Sequence, residues 1–228
     1  MFDLYTQYAR MITEIADKDK EPFYQEYCHY LIALNRIVMG TDEVIEGSLF
    51  YDHLIHNLDD VPDPAYRYKR RNFVRYVCTG RRLLEVGFNA GHSALLALTV
   101  NKYLTYHAID IDKYRYTTLA YQYLQDIFGD RIQMLSGDSR DILPMVSRGS
   151  FDLMHIDGGH SATVSHADLA SMIKIADINS VILFDDSNAD YIEPFINFYI
   201  TAGYLSPEDL MGTWEHKTQV LLRVNKRL

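Results

Sequence analysis

The spacing of apolar residues changes near residue 80, and the change divides the chain into two kinds of sequence. Up to about residue 78, apolar positions recur at helical spacing, clearly at Leu31, Leu34 and Val38 and more loosely at Val44, Leu49, Leu54 and Leu58. Pro62 and Pro64 indicate a turn, after which a helix resumes near Tyr66 to Val77. The pattern predicts a helical N-terminal segment without strands.

From residue 82 onwards, short apolar runs alternate with helical stretches. The runs are 82–86, 105–109, 131–135, 152–156 and 180–184, and the helical stretches fall near 92–102, 113–128, 163–175 and 190–203. This alternation is typical of a doubly wound, parallel α/β sheet, and a further apolar run at 219–224 suits a last strand near the sheet edge. We expect one domain over 1–228, with a helical cap at 1–78 and an α/β core at 79–228.

The first apolar run ends in an acid and two glycines. Glu85, Gly87 and Gly91 are separated as E-x-G-x-x-x-G, and Ser93 then opens an apolar helical stretch. Glycines at a strand-to-helix turn let the backbone approach a ligand, or adopt a positive φ, where a Cβ would interfere. A dinucleotide site would read G-x-G-x-x-G, so this loop predicts another nucleotide-like ligand.

The next two runs also end in polar residues. Asp110 follows the second run, 23 residues after Gly87, where a carboxylate can accept hydrogen bonds from both hydroxyls of a ribose. Gly137-Asp138-Ser139 follows the third run, where Asp138 or Ser139 can bond the amino group or a ring nitrogen of adenine. Helix capping by Asp110 or Asp112, and by Asp138 or Ser139, is the alternative in each case.

Three acids follow the last two parallel runs. Asp157, Asp185 and Asp186 would repel one another if they lay together, and a hard cation such as Mg²⁺ would relieve that repulsion. Asp185 and Asp186 can share one ion only if the strand has already become a loop, because neighbouring strand residues face opposite ways. His160, which follows Gly158 and Gly159, is placed to accept a proton. Capping acids without metal and a packing histidine remain open.

Composition narrows the choice of partners. The net charge is −9 and the pI is about 5.4, which disfavours nucleic acid, because phosphate binding depends on Lys and Arg. We interpret the basic cluster at 67–75 as a solvated helix face. Cys28 and Cys78 form no metal or disulfide pattern, and neither a leader nor a membrane segment is evident. We expect a cytoplasmic protein that binds no membrane.

These motifs in this order resemble the cation-dependent O-methyltransferases of the catechol and macrolide-sugar types, over about residues 80–190. The chain reads E-x-G-x-x-x-G-x-S, I-D-I-D, G-x-S-x-D-I-x-P, D-x-x-x-I-D-x-x-H and L-F-D-D. The resemblance implies a Rossmann-like sheet of seven mostly parallel strands whose last strand is antiparallel, and S-adenosylmethionine (AdoMet) as donor. It implies donor contacts from Glu85, Gly87, Phe88, Asn89, Gly91, Ser93, Asp110, Ile111, Gly137, Asp138, Ser139 and Asp157.

The resemblance also implies a metal and a base. Asp157, Asp185 and Asp186 occupy metal-ligand places, although the catechol type has Asp-Asn for the last pair. His160 stands where that family has its catalytic lysine. We therefore expect Mg²⁺-dependent methylation of a small-molecule hydroxyl, with His160 or Asp157 accepting the proton. A metal-independent N- or O-methyltransferase and a non-catalytic AdoMet-binding protein are the alternatives, and the N-terminal helices offer a surface for a homo-oligomer.

Overall fold

The computed structural model of the chain describes residues 2–52, 55, 58–159, 161–210, 215 and 218–228. The chain divides into two compact units. The first unit comprises Met1–Thr79, Asn89–Thr105 and Asp112–Ile132, and the second comprises Gly80–Phe88, Tyr106–Ile111 and Gln133–Leu228. The first unit thus extends beyond the segment that we expect to form a cap, and the single-domain organisation stays a prediction.

The described part of the first unit is helical. Its helices are α1 (Phe2–Ala16), α2 (Tyr24–Met39), α3 (Arg67–Val77), α4 (His92–Val100) and α5 (Arg115–Phe128), with short 3₁₀ turns at Pro64–Tyr66 and Gly129–Arg131. In α2, Tyr27, Leu31, Leu34 and Val38 recur every three or four residues and are buried, where α2 packs on α4 and α5. No helix in the described ranges has the length and apolar character needed to cross a membrane.

The stretch between α2 and the 3₁₀ turn at Pro64–Tyr66 is not helical in its described residues. Asp42 and Gly47 have φ values of 59° and 67°, which an α-helix cannot contain, and Ile45 and Ile55 form an isolated antiparallel bridge. The loose helical spacing at Val44, Leu49 and Leu58 is therefore a wrong prediction. Those residues include buried loop positions, and Leu54 lies outside the described residues.

Four of the five basic residues of α3 are buried and Arg67 is partly buried, which corrects the prediction of a solvated face. Arg70 has no exposed surface, and Lys69, Arg71 and Arg75 are at most 8% exposed. The Arg70 guanidinium donates to both carboxylate oxygens of Glu21 and to the carbonyl oxygens of Leu49 and Asp63. A buried guanidinium needs such partners because its desolvation is costly. Sequence composition cannot reveal them, since they come from distant loops.

The second unit contains the sheet, and the predicted fold class is confirmed. The strands are β1 (Arg82–Val86), β2 (Thr105–Asp110), β3 (Ile132–Ser136), β4 (Leu153–Ile156), β5 (Val181–Phe184), β6 (Leu205–Pro207) and β7 (Val220–Val224). In the described residues they form a seven-stranded sheet in the order β3-β2-β1-β4-β5-β7-β6. β4 is parallel to β1 and β5, and β7 is antiparallel to β5 and β6. β6 is too short to give a sequence signal.

Three helices accompany the sheet in the second unit. They are α6 (Ser139–Ile142), α7 (Ala162–Ile175) and α8 (Glu193–Thr201), and a 3₁₀ turn at Leu143–Met145 follows α6. Ser161 starts α7 by accepting a hydrogen bond from the N–H of Val164. Leu169, Met172 and Ile173 of α7 join one apolar core with Met154 of β4 and Ile182 of β5. This core fixes the strand ends that carry the polar residues.

Candidate active site

Backbone hydrogen bonds join the carboxyl ends of five neighbouring strands in the second unit. The N–H of Gly137 donates to Asp110, Gly87 to Ile109, Asp157 to Val86 and Asp185 to Ile156, at 2.7 to 3.0 Å. Ligands of open α/β sheets bind beyond this edge. The residues that the sequence singles out at separate strand ends therefore form one row, in the order Gly137, Asp110, Gly87, Asp157, Asp185.

Gly87 is required by a close approach of protein backbone. Its φ is 99°, and a Cβ at this position would lie 2.0 Å from the carbonyl oxygen of Asp157. Gly158 Cα would lie within 2.9 Å of the same Cβ. The loop after β1 and the loop after β4 thus touch at Gly87. The sequence predicted a glycine that makes room for a ligand or allows a positive φ, and the structure adds that it makes room for the neighbouring loop.

Glu85 and His155 form a buried pair on adjacent strands. The two residues are in register between β1 and β4, both have no exposed surface, and His155 Nδ1 lies 2.6 Å from Glu85 Oε1. Burial alone would lower the pKa of His155, but its hydrogen bond to Glu85 and the charges of Glu85, Asp157 and Asp185 raise that pKa. Glu85 thus holds a protein side chain, and through it the end of β4.

The three predicted metal acids follow β4 and β5. Asp157 and Asp185 succeed residues that pair in register, Ile156 and Phe184, so they occupy matching places on adjacent strands. Strand β5 ends at Phe184, and Asp186 has a φ of 50° within a turn, which is the break that a shared ion requires. The role of these acids as ligands stays a prediction.

A different set of potential ligand atoms lies close together among the described residues. The ligand atoms of Glu85, His155 and Asp157 all lie within 4.8 Å of one another, and neither Asp185 nor Asp186 belongs to that group. Glu85 and His155 already bond each other directly at 2.6 Å, which leaves no room for an ion between their bonded atoms. We therefore regard Glu85 and His155 as a support for Asp157.

Asp110 ends β2, and Ile111 follows it with 67% of its surface exposed. Neither Asp110 nor Asp112 caps α5, because the N-cap residue of that helix is Tyr114, which makes no side-chain cap bond. In the first unit, Asp112 accepts the hydroxyl of Thr118. The ribose contact of Asp110 stays a prediction, and Ile111 presents an apolar surface next to it.

Asp138 and Ser139 at the end of β3 have different partners. Asp138 caps α6 by accepting from the N–H of Arg140, as the alternative interpretation had it, and also pairs with the Arg140 guanidinium. That bonding lowers the pKa of Asp138 to about 2. The Ser139 hydroxyl lies 2.6 Å from Oδ1 of Asp168 in α7, and both residues are buried.

The remaining predicted donor residues follow β1. Phe88, in the second unit, is 1% exposed. In the first unit, Gly91 has a φ of 73° at the start of α4, and Ser93 lies buried in that helix. Asn89, with a φ of 51°, donates to the carbonyl oxygens of Glu46 and Gly47 and accepts the hydroxyl of Tyr116. The Asn89 side chain is thus engaged by protein, and its donor contact stays a prediction.

The predicted base, His160, lies outside the described residues. The sequence pattern singles out neither His155 nor Asp168 as a functional residue. A signal for His155 does exist: it is the last residue but one of its strand, as Glu85 is, and the strand order of a doubly wound sheet makes those strands neighbours. Asp168 carries no such signal, because its partner is decided by how α7 packs.

Comparisons with known proteins agree with this geometry. The model of a methyltransferase domain matches residues 84–187. No curated protein is significantly similar in sequence. Similar solved structures include cofactor-bound Rv0187 from MTB, 18% identical with a TM-score of 0.62, and the O-methyltransferase from Bacillus cereus in complex with SAH, 14% identical with a TM-score of 0.60; each match covers 87% of this chain and 91% of the other.

A third similar structure is the MycE methyltransferase from the mycinamycin biosynthetic pathway, in complex with Mg and SAH. It is 15% identical with a TM-score of 0.50, and the match covers 70% of this chain and 49% of that one. At these identities the likeness extends to the fold, and the family model supplies the activity. Residues 84–187 form a methyltransferase domain, a match that covers a little under half of the chain.

Proposed function

We propose that the protein transfers the methyl group of AdoMet to a hydroxyl oxygen of a small molecule, with a divalent cation as cofactor. The observation that carries the proposal is the row of strand ends from Gly137 to Asp185. It sets Asp110, a glycine loop and two matched carboxylates side by side. The methyl group of a bound AdoMet and a hydroxyl oxygen of an acceptor bound to the cation would then meet at the end of β4.

The donor set suits a hard cation. Asp157 and Asp185 act on the same buried imidazole, since both charges contribute to the raised pKa of His155. Asp186 follows in a turn, and carboxylate oxygens are the ligands that Mg²⁺ prefers. Asp157, Asp185 and Asp186 would hold the ion, and a bound cation lowers the pKa of a coordinated hydroxyl.

The protein's own residues would supply position and a base. The glycine loop and Asp110 would fix the donor so that oxygen, methyl carbon and sulfur lie in line, which is mainly a proximity effect. The acceptor oxygen forms the new C–O bond as the C–S bond breaks, and S-adenosylhomocysteine leaves. The hydroxyl proton would pass to His160 or Asp157.

The test is production of S-adenosylhomocysteine from AdoMet with a panel of hydroxyl compounds. We expect EDTA to abolish turnover and Mg²⁺ to restore it. Asp185→Asn should raise the Mg²⁺ concentration needed at least tenfold. The matched control is Asp190→Asn, an exposed acid nearby, which should behave as wild type. Full turnover in EDTA, or an unchanged Mg²⁺ requirement in Asp185→Asn, would contradict the cation.

A second variant separates binding from chemistry. His160→Ala should keep the affinity for S-adenosylhomocysteine, measured by calorimetry, and lose most turnover. Turnover at the wild-type rate would instead assign the proton to Asp157. If the wild-type protein binds the donor and methylates no hydroxyl compound, while amines are methylated, the acceptor atom in the proposal is wrong.

A further inference from the structure

Asp168 is a buried acid of the second unit to which the proposed mechanism assigns no role. Asp168 has no exposed surface, and Ser139 Oγ is 2.6 Å from its Oδ1. Its other oxygen, Oδ2, has no hydrogen-bond partner among the described residues. A buried carboxylate with one hydroxyl partner is costly, so a fold that keeps it uses it for something other than stability.

The pairing fixes the direction of the serine hydroxyl. An ionised carboxylate only accepts, while a hydroxyl has one proton and two acceptor lone pairs. The Ser139 hydroxyl therefore donates its hydrogen bond to Asp168. Towards any ligand, the Ser139 oxygen can only accept a hydrogen bond. Donation to a carboxylate also polarises the hydroxyl and strengthens its oxygen as an acceptor.

The side chains of the loop after β3 therefore favour a ligand that offers an N–H donor. Asp138 is likewise an acceptor, and its oxygens are occupied by the backbone and guanidinium of Arg140. Adenine presents an amino donor at its C6 position, whereas hypoxanthine presents a carbonyl acceptor there. At C6, only the amino purine offers a hydrogen to a serine oxygen that cannot donate.

We propose that Asp168 is a positioning residue that makes Ser139 an obligate acceptor and so selects a 6-amino purine over a 6-oxo purine in the methyl donor. The proposal rests on the proposed adenine contact of the loop after β3. Asp168 acts through Ser139 and need not touch the ligand.

The experiment compares the affinities of S-adenosylhomocysteine and its 6-oxo analogue, S-inosylhomocysteine, by calorimetry at pH 8. The wild type should prefer the amino compound by at least about tenfold, the value of one hydrogen bond. Ser139→Ala should reduce that ratio about tenfold. Asp168→Ala should do the same, because the freed hydroxyl can then donate to the 6-oxo group.

Two further variants separate selection from folding. Asp168→Asn keeps an acceptor oxygen and should retain most of the preference, which a general loss of structure would not predict. Asp141→Asn removes an exposed acid of the same short helix and should keep the wild-type ratio.

The outcomes are distinct. A wild-type ratio in Ser139→Ala or in Asp168→Ala overturns the proposal, and so does an equal loss in Asp168→Ala and Asp168→Asn. A wild-type protein that binds neither homocysteine nucleoside would instead count against the proposed function. Because Ser139→Ala makes a small change, it remains informative even if Asp168→Ala fails to fold.

Discussion

Two buried acid–base pairs, one in each unit, differ in how completely they are neutralised. In the first unit, Glu21 meets Arg70 through both carboxylate oxygens, and the Tyr27 hydroxyl also donates to Glu21. In the second unit, Glu85 meets His155 through one bond. The first pair is a closed network, whereas the second lies beside further acids.

The surplus charge is what distinguishes the second pair. His155 interacts with the charges of Asp157 and Asp185 as well as with Glu85, so three acids act on one imidazole. Arg70 uses its remaining donors on backbone carbonyl oxygens, which adds no charge. A saturated pair serves the fold, and an acid-rich one at a strand end is suited to a cation or a proton. The comparison predicts different consequences for mutations in the two places.

The largest expected effect is on stability, at Arg70. Arg70→Met removes the direct bonds to Glu21, whose side chain is 15% exposed, and leaves it Arg67 Nε at 3.6 Å. Breaking a buried pair costs about 3 to 5 kcal/mol. Equilibrium unfolding in urea measures the loss. Arg140→Met removes an exposed ion pair and should leave the unfolding midpoint unchanged. A loss below about 1 kcal/mol in Arg70→Met would mean that the network is not closed in the way described.

A buried acid without a base gives a smaller effect of opposite sign. Burial raises the pKa of Asp168 to about 6, and the hydrogen bond from Ser139 offsets this only in part. Between pH 3.8 and about 6 the folded chain keeps a proton that the unfolded chain has lost, so the free energy of unfolding falls as pH rises. Above pH 6 the cost is complete, at up to about 3 kcal/mol.

Asp168→Asn removes that cost while keeping an acceptor for Ser139. The variant should be more stable than the wild type at pH 7 to 8, and the two should converge below pH 4. Thermal unfolding across pH 3.5 to 8 measures the difference. A constant difference at every pH would show that Asp168 does not titrate in this range.

We expect the smallest change in stability at Glu85, where the change in activity should be larger than at Arg70. Glu85→Gln keeps a hydrogen-bonding group for His155 and should cost about 1 to 2 kcal/mol of stability. Because it alters the charge that supports Asp157, turnover should fall at least tenfold in protein that is fully folded. Folded Arg70→Met protein should keep its turnover. If both variants lose activity only in proportion to unfolding, the two pairs have the same structural role.

The sequence by itself determined the alternation of strands and helices and the polar residue at each strand end. Five apolar runs coincide with β1 to β5 within one residue at every end, because the buried positions of parallel strands are mostly apolar. The order of the strands comes from the tertiary structure, and it places Asp110, Gly87 and Asp157 at one edge.

Only the tertiary structure decided which side chains are partners. The basic residues of α3 read as a solvated face, yet Arg70 is buried against Glu21, 49 residues earlier in the chain. Asp168 has the sequence context of an ordinary helix residue, yet it accepts a hydrogen bond from the Ser139 hydroxyl. Burial and partner choice depend on contacts between distant segments, which local spacing does not encode. The physical reason is that periodicity specifies an element and its face, while packing specifies what that face meets.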